Sequence, residues 1–226
     1  MRPLLALLAV LALPLLAACN QVYSRTPLVP EAHEGGDPEF RPGLWKIGDD
    51  SDGPFKCPFD IRKHLHDWPD CAVAVEFRRG QMFLLDAHHR YLAQTLRMVD
   101  GPQVLVQSHW MTDVLADPRA PEPRDTDNPF YGWTYAAVTV QRMDQDGHIM
   151  QAEMVQADCG PLPVAGDPLP SGRKTMPMDV TWRPFAGLVL NGKNCVAKDL
   201  ETVKTALAES AKLGPAVPMR WIRDDP

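Results

Sequence analysis

Four cysteines lie beyond the first nineteen residues, and they are the side chains whose chemistry is simplest to predict. They are Cys57, Cys71, Cys159 and Cys195. An even number of cysteines in an exported chain indicates disulfides, and four cysteines allow three pairings. We favour Cys57–Cys71 and Cys159–Cys195, because each pairing closes a local loop. The spacing lacks the close pairs of a zinc site, and no cysteine is left over as a catalytic thiol.

Histidines are the other candidate metal ligands, but their spacing does not favour a metal ion. On a helix, side chains two residues apart, such as His64 and His66, point about 200° away from each other. On a strand these two would share a face, whereas the adjacent His88 and His89 would point to opposite faces. The sequence also contains no glycine-rich phosphate loop. We therefore predict neither a metal nor a cofactor.

A hydrolase is an alternative that would require a serine, a histidine and a carboxylate to meet in a cleft. The candidates are Ser108, His109 and His148. No serine lies in a G-x-S-x-G motif, and the adjacent Ser108 and His109 alternate on a strand. We therefore predict that the protein is not an enzyme, and we assign no catalytic residue.

Aromatic side chains suggest a second alternative, a carrier or sensor of an apolar small molecule. Trp45, Trp110, Trp133 and Tyr135 are the candidates to line a ligand cavity, because a curved sheet rich in aromatics can enclose one. The simpler interpretation is that these side chains fill the core of a sheet that is covered by one helix.

The first nineteen residues carry the most specific motif in the chain. Arg2 precedes an apolar run from Leu4 to Leu16, which has the length of a signal-peptide core and is too short to cross a bilayer. The run ends Leu16-Ala17-Ala18-Cys19, which resembles the lipobox of bacterial lipoproteins. An ordinary secretory signal with an incidental cysteine is the alternative.

The lipobox resemblance implies an address and an anchor. Residues 1–18 would be removed, and Cys19 would carry acyl chains such as palmitate that hold the protein to a membrane. Asn20, in place of an aspartate after the modified cysteine, implies the outer membrane, with the domain facing the periplasm. Residues 19–41 are predicted to be a lipidated N-terminus and flexible tether, because 23–39 is rich in proline, glycine and acidic residues.

Residues 42–226 are predicted to form a single α+β domain. Val73, Val75 and Phe77 alternate with smaller or polar residues, as in a half-buried strand, and glycine-containing turns such as the one that ends at Gly147 separate further strands of this kind. The clearest helix is expected after Asp199, where Leu200, Val203, Leu207, Ser210 and Leu213 fall near helical spacing. Residues 219–222, which begin at Met219, are expected to close the chain as an edge strand. We therefore expect a curved antiparallel meander with a C-terminal amphipathic helix packed on it, stapled by disulfides.

Composition limits the function classes. The chain has 226 residues, of which 45% are hydrophobic, and a formal net charge of −6 without a basic run. A packed core is expected, and nucleic acid is excluded as a partner. The leading hypothesis is a membrane-anchored envelope lipoprotein with a non-enzymatic interaction or structural role, whose partner would be another envelope protein.

Overall fold

Strands dominate the computed structural model, which describes residues 20–29, 38–48, 60–64, 67–69, 73–78, 80–86, 91–99, 103–110, 132–163, 181 and 183–224. These residues contain eleven strands and one helix. The strands are β1 (Val22–Ser24), β2 (Gly43–Ile47), β3 (Val73–Arg78), β4 (Gln81–Asp86), β5 (Tyr91–Val99), β6 (Val104–Trp110), β7 (Trp133–Met143), β8 (Ile149–Gln156), β9 (Val189–Asn191), β10 (Asn194–Val196) and β11 (Val217–Arg223), and the helix is α1 (Leu200–Ser210). The α+β, strand-dominated class predicted from the sequence is confirmed.

One sheet contains all of these strands, in the order β6-β5-β4-β3-β2-β11-β8-β7-β1-β10-β9. From β2 to β8, each strand is antiparallel to the next strand along the chain. β6 pairs with β5 along one edge and with β7 along the other, so the sheet curves back on itself. The strand near Met219 was expected at a sheet edge, but β11 pairs with both β2 and β8 and is internal.

Two apolar clusters lie on opposite faces of the sheet, because neighbouring side chains of a strand alternate. On β6, Val104 and Val106 belong to one cluster and Leu105 to the other. The first cluster, which we call the inner cluster, consists of Phe40, Trp45, Val75, Phe77, Val104, Val106, Val138, Ile149, Ala152 and Met219. The second, the outer cluster, joins the sheet to α1 through residues that include Leu105, Tyr135, Ala137, Val203 and Leu207.

The predicted helix is present and begins where the sequence indicated. Asp199 caps it, and its side-chain Oδ1 accepts a hydrogen bond from the Thr202 backbone N–H at 2.8 Å. Val203 and Leu207 are buried against the sheet, as their spacing predicted. The helix ends at Ser210, however, so Leu213 lies beyond it and is 46% exposed rather than part of the buried stripe.

The N-terminal segment differs most from expectation. A flexible tether was predicted for residues 19–41, but β1 lies inside the sheet, antiparallel to β7 and parallel to β10. Val22 and Tyr23 are fully buried. The tether prediction is therefore wrong for residues 20–24, which are buried and include the strand β1, and for Val29, which lies in the outer cluster. It is also wrong for Phe40, which is buried in the inner cluster and forms a β-bridge with Ile149.

Candidate functional site

Asn20 is the described residue nearest to the predicted lipidation site, since Cys19 itself lies outside the described residues. The Asn20 backbone has a φ of 71°, in the left-handed region that asparagine tolerates better than most residues. Its side chain is almost completely buried. The residue that follows the predicted modification site is therefore held inside the fold.

Hydrogen bonds fix Asn20 from three directions. Its backbone N–H donates to the Lys193 carbonyl at 2.6 Å, and its carbonyl accepts from the Cys159 N–H at 2.7 Å. The side-chain Nδ2 donates to the Gly160 carbonyl at 2.9 Å. Gly160 itself lies so close to the Arg183 main chain that a Cβ would not fit. The loop after β8 and the β9–β10 turn thus hold Asn20 between them.

The rest of the segment is fixed by polar side chains in the outer layer. Ser24 Oγ donates to the Thr26 carbonyl at 2.5 Å and forms a short hydrogen bond with the Tyr135 hydroxyl. Burial raises the pKa of Tyr135 to about 12, although the hydrogen bond with Ser24 partly opposes this rise. Tyr135 therefore remains protonated at neutral pH, so it can donate to Ser24 and hold β1 against β7.

Gln107 on β6 fixes the far end of the same segment. Its side chain is fully buried, and Oε1 accepts from the Leu28 N–H at 2.7 Å and from the Val29 N–H at 2.8 Å. Within the described part of the chain, Gln107 Nε2 has no hydrogen-bond partner. The sequence analysis missed this contact, because a lone glutamine on a strand is usually exposed.

The disulfide between Cys159 and Cys195 is confirmed, with Cα atoms 5.4 Å apart. Both of its cysteines bond to the residues just before β1: the Cys159 N–H donates to the Asn20 carbonyl, and the Cys195 N–H donates to the Gln21 carbonyl at 2.9 Å. The other predicted pair, Cys57 and Cys71, lies outside the described residues.

The proposed ligand-lining aromatics whose side chains the structure describes are divided between two faces of the sheet. Trp45 belongs to the inner cluster, where its ring contacts Phe40 and Phe77 edge-on, with centroids 5.3 Å away in both cases. Trp133 and Tyr135 belong to the outer cluster on the other face. For Trp110, the described structure covers only the backbone, which pairs with Gln94. Trp45 therefore fills the core, as the simpler interpretation held.

The hydrolase candidates are also dispersed. Ser108 Oγ is hydrogen-bonded to Thr134 Oγ1 at 2.8 Å, whereas the His109 ring lies against Trp133 with centroids 4.8 Å apart. His148 lies in the β7–β8 turn, where its Nδ1 is 3.3 Å from Asp144 Oδ2. The three side chains thus have separate partners, and the structure does not assemble them into a triad.

The β7–β8 turn contains a cluster that the sequence analysis did not single out. Ligand atoms of Asp144, Asp146 and His148 lie within 4.8 Å of one another. Asp144 accepts from the backbone N–H groups of Asp146 and His148 and from Arg41 Nη1 at 3.1 Å. Burial opposes ionisation of Asp144, but the His148 and Asp146 N–H groups outweigh it, so its pKa is lowered. The ionised Asp144 carboxylate is paired with Arg41, and its hydrogen bonds hold the turn closed, so its role is structural.

No protein-family model, curated protein or solved structure matches this chain. The site therefore has to be interpreted from its own residues. In the part of the chain that the structure describes, no helix is both long and apolar enough to span a membrane.

Proposed function

We propose that this protein is a lipid-anchored protein of the cell envelope, modified at Cys19, whose sheet domain has a non-enzymatic interaction or structural role. One observation carries the proposal: the chain is buried from Asn20, one residue after the lipobox cysteine, and enters the sheet at Val22. Consecutive Cα atoms are about 3.8 Å apart. A lipid on Cys19 would therefore be attached at the surface of the domain itself rather than at the end of a free tether.

The interaction role is supported by β9. This strand ends the sheet order among the described strands, and Val189 is 66% exposed on it. An unpaired strand edge that carries apolar side chains is a template for pairing with another chain. The proposed partner is an envelope protein that adds a strand to β9.

The other assignments have less support. Trp45 is packed against Phe40 and Phe77, so it does not favour a carrier of apolar molecules. The outer membrane as destination depends only on the resemblance of Asn20 to a sorting signal. Asn20 also has a structural reason to be asparagine, because of its backbone conformation and its bond to Gly160.

Anchoring is tested by comparing the native protein with Cys19→Ser after expression in a Gram-negative host. We expect native protein in the membrane fraction, with a mass above that of polypeptide 19–226 by the attached lipid. The variant should be in the soluble periplasmic fraction with an intact Cys159–Cys195 disulfide, which shows that it has folded. Native protein with an unmodified cysteine would rule the anchor out.

The interaction role is tested by a photo-crosslinker placed at Val189 in living cells. Ala208, which is exposed on α1, provides the matched control position. We expect an adduct with one envelope protein from Val189 only, and capture of this chain when the crosslinker is placed on that partner. Equal adducts from both positions would argue against a specific interaction at β9.

A further inference from the structure

Three segments surround the point where the chain enters the fold, and we call them the anchor end: residues 160–162, the β9–β10 turn at 192–193, and the end of α1 through Leu213. Asn20 bonds to Gly160 and to Lys193, as described above. The end of α1 joins them because Ser210 Oγ accepts from the Asp158 N–H at 2.9 Å, and Asp158 pairs with Gln21.

The anchor end carries apolar side chains that the fold does not use. Leu162 is 47% exposed and Leu213 is 46% exposed. Single exposed leucines are common on protein surfaces and need no explanation. Leu162 is two residues from Gly160, which bonds to Asn20, and Leu213 is three residues from Ser210, which is connected to Gln21 through Asp158. Both leucines therefore lie within a few residues of the contacts that hold Asn20 and Gln21, the first described residues after the predicted lipid-bearing cysteine.

A basic side chain is exposed beside the anchor end. Arg183 is exposed, and its carbonyl lies against Gly160, whose own carbonyl accepts from Asn20. Among the acidic residues described here, Glu209 is paired with Lys212 at 2.6 Å, and Asp158 is partly buried. An exposed arginine at this position suits a surface of anionic phospholipid.

We propose that the anchor end is a membrane-docking face, on which Leu162 and Leu213 enter the headgroup boundary and the neighbouring Arg183 faces anionic headgroups. The proposal rests on lipidation of Cys19. Because Asn20 is buried, no free segment would separate Cys19 from the domain, and the lipid would fix which side of the domain meets the bilayer. A few interfacial leucines and basic residues then add to an anchor that already confines the domain to the surface.

The test uses the mature lipidated protein in vesicles of phosphatidylcholine and phosphatidylglycerol. Leu162→p-benzoylphenylalanine and Leu213→p-benzoylphenylalanine place a photo-crosslinker on the docking face. Met143→p-benzoylphenylalanine is the control, because Met143 is also apolar and 46% exposed but lies on the β7–β8 hairpin. Intact mass after irradiation reports both the lipid on Cys19 and any crosslinked phospholipid.

We expect phospholipid adducts at Leu162 and Leu213 in at least several-fold higher yield than at Met143. Equal yields in protein that carries lipid on Cys19 would overturn the docking face and leave the anchor intact. Protein adducts between copies at Leu162, without lipid adducts, would also overturn it. Protein without lipid on Cys19 would overturn the proposed anchoring, and the docking face with it.

Discussion

Replacing Asn20 with aspartate tests directly whether the first described residue of the chain is held as the structure shows. In Asn20→Asp, an oxygen would replace Nδ2, which lies 2.9 Å from the Gly160 carbonyl oxygen. Two oxygens at this distance repel each other unless one carries a proton. The position is only 6% exposed, so the ionised carboxylate would also lose most of its hydration.

The least costly folded form of Asn20→Asp therefore keeps the introduced carboxyl group protonated, so that it donates to Gly160. The folded pKa of this carboxyl group would be raised above the unfolded value of about 3.9, and holding the proton at pH 7 would cost up to about 4 kcal/mol. The folded state then binds more protons than the unfolded state. Consequently, the variant should regain stability as the pH falls, by up to about 1.4 kcal/mol per pH unit.

Asn20→Gly is the matched control. Glycine adopts a positive φ without strain, so this variant loses only the side-chain hydrogen bond. It also removes Asn20 Oδ1, a buried acceptor with no partner within the described part of the chain. We expect a loss of about 1 kcal/mol that does not change with pH.

The assay is urea unfolding of the mature protein in mild detergent, followed by tryptophan fluorescence between pH 4.5 and 8. We expect Asn20→Asp to cost about 2–4 kcal/mol at pH 7 relative to the native protein, with most of the loss recovered near pH 4.5. If aspartate costs no more than glycine at pH 7, or if its cost is constant with pH, then Asn20 is not buried against Gly160.

Two further variants test the surroundings of β1. Burial raises the pKa of Asp158 to about 6, so the folded protein should gain stability as the pH falls from about 6 towards the unfolded pKa near 4. Asp158→Asn should remove this gain and raise the free energy of unfolding at pH 8 by about 1–3 kcal/mol in the same urea titration. The double variant Cys159→Ser with Cys195→Ser should lose about 3–4 kcal/mol, because the disulfide closes a loop with a sequence separation of 36; a loss below about 1 kcal/mol would contradict this.

Local patterns in the sequence predicted the elements whose structure depends on nearby residues. The spacing of Val203 and Leu207 predicted the helix, and Asp199 marked its start. The glycine at position 147 marked the β7–β8 turn, where its φ is 86°. In these cases, the residues that decide the conformation are close to one another in the sequence, so a short stretch of sequence contains the necessary information.

Partners that are distant in the sequence explain what was missed. Composition between residues 23 and 39 suggested a tether, because a window average is dominated by its prolines, glycines and acidic residues. The burial of Val22 depends instead on Cys195, with which it is paired in a parallel register. Met219 looked like part of an edge strand for the same reason: nothing near it in the sequence shows that β11 pairs on both sides.

The parallel pairing of β1 with β10 also restricts the order of assembly. Val22 cannot pair with Cys195 until the chain has been extended as far as residue 195, whereas the antiparallel strands from β2 to β8 can pair in sequence as they emerge. Under the proposed anchoring, Cys19 is already at the membrane during this time. The last steps of folding, in which β10, α1 and the Cys159–Cys195 disulfide enclose β1, would then take place against the bilayer. That order favours an anchor end that tolerates lipid contact from the beginning, as the exposed Leu162 and Leu213 would allow.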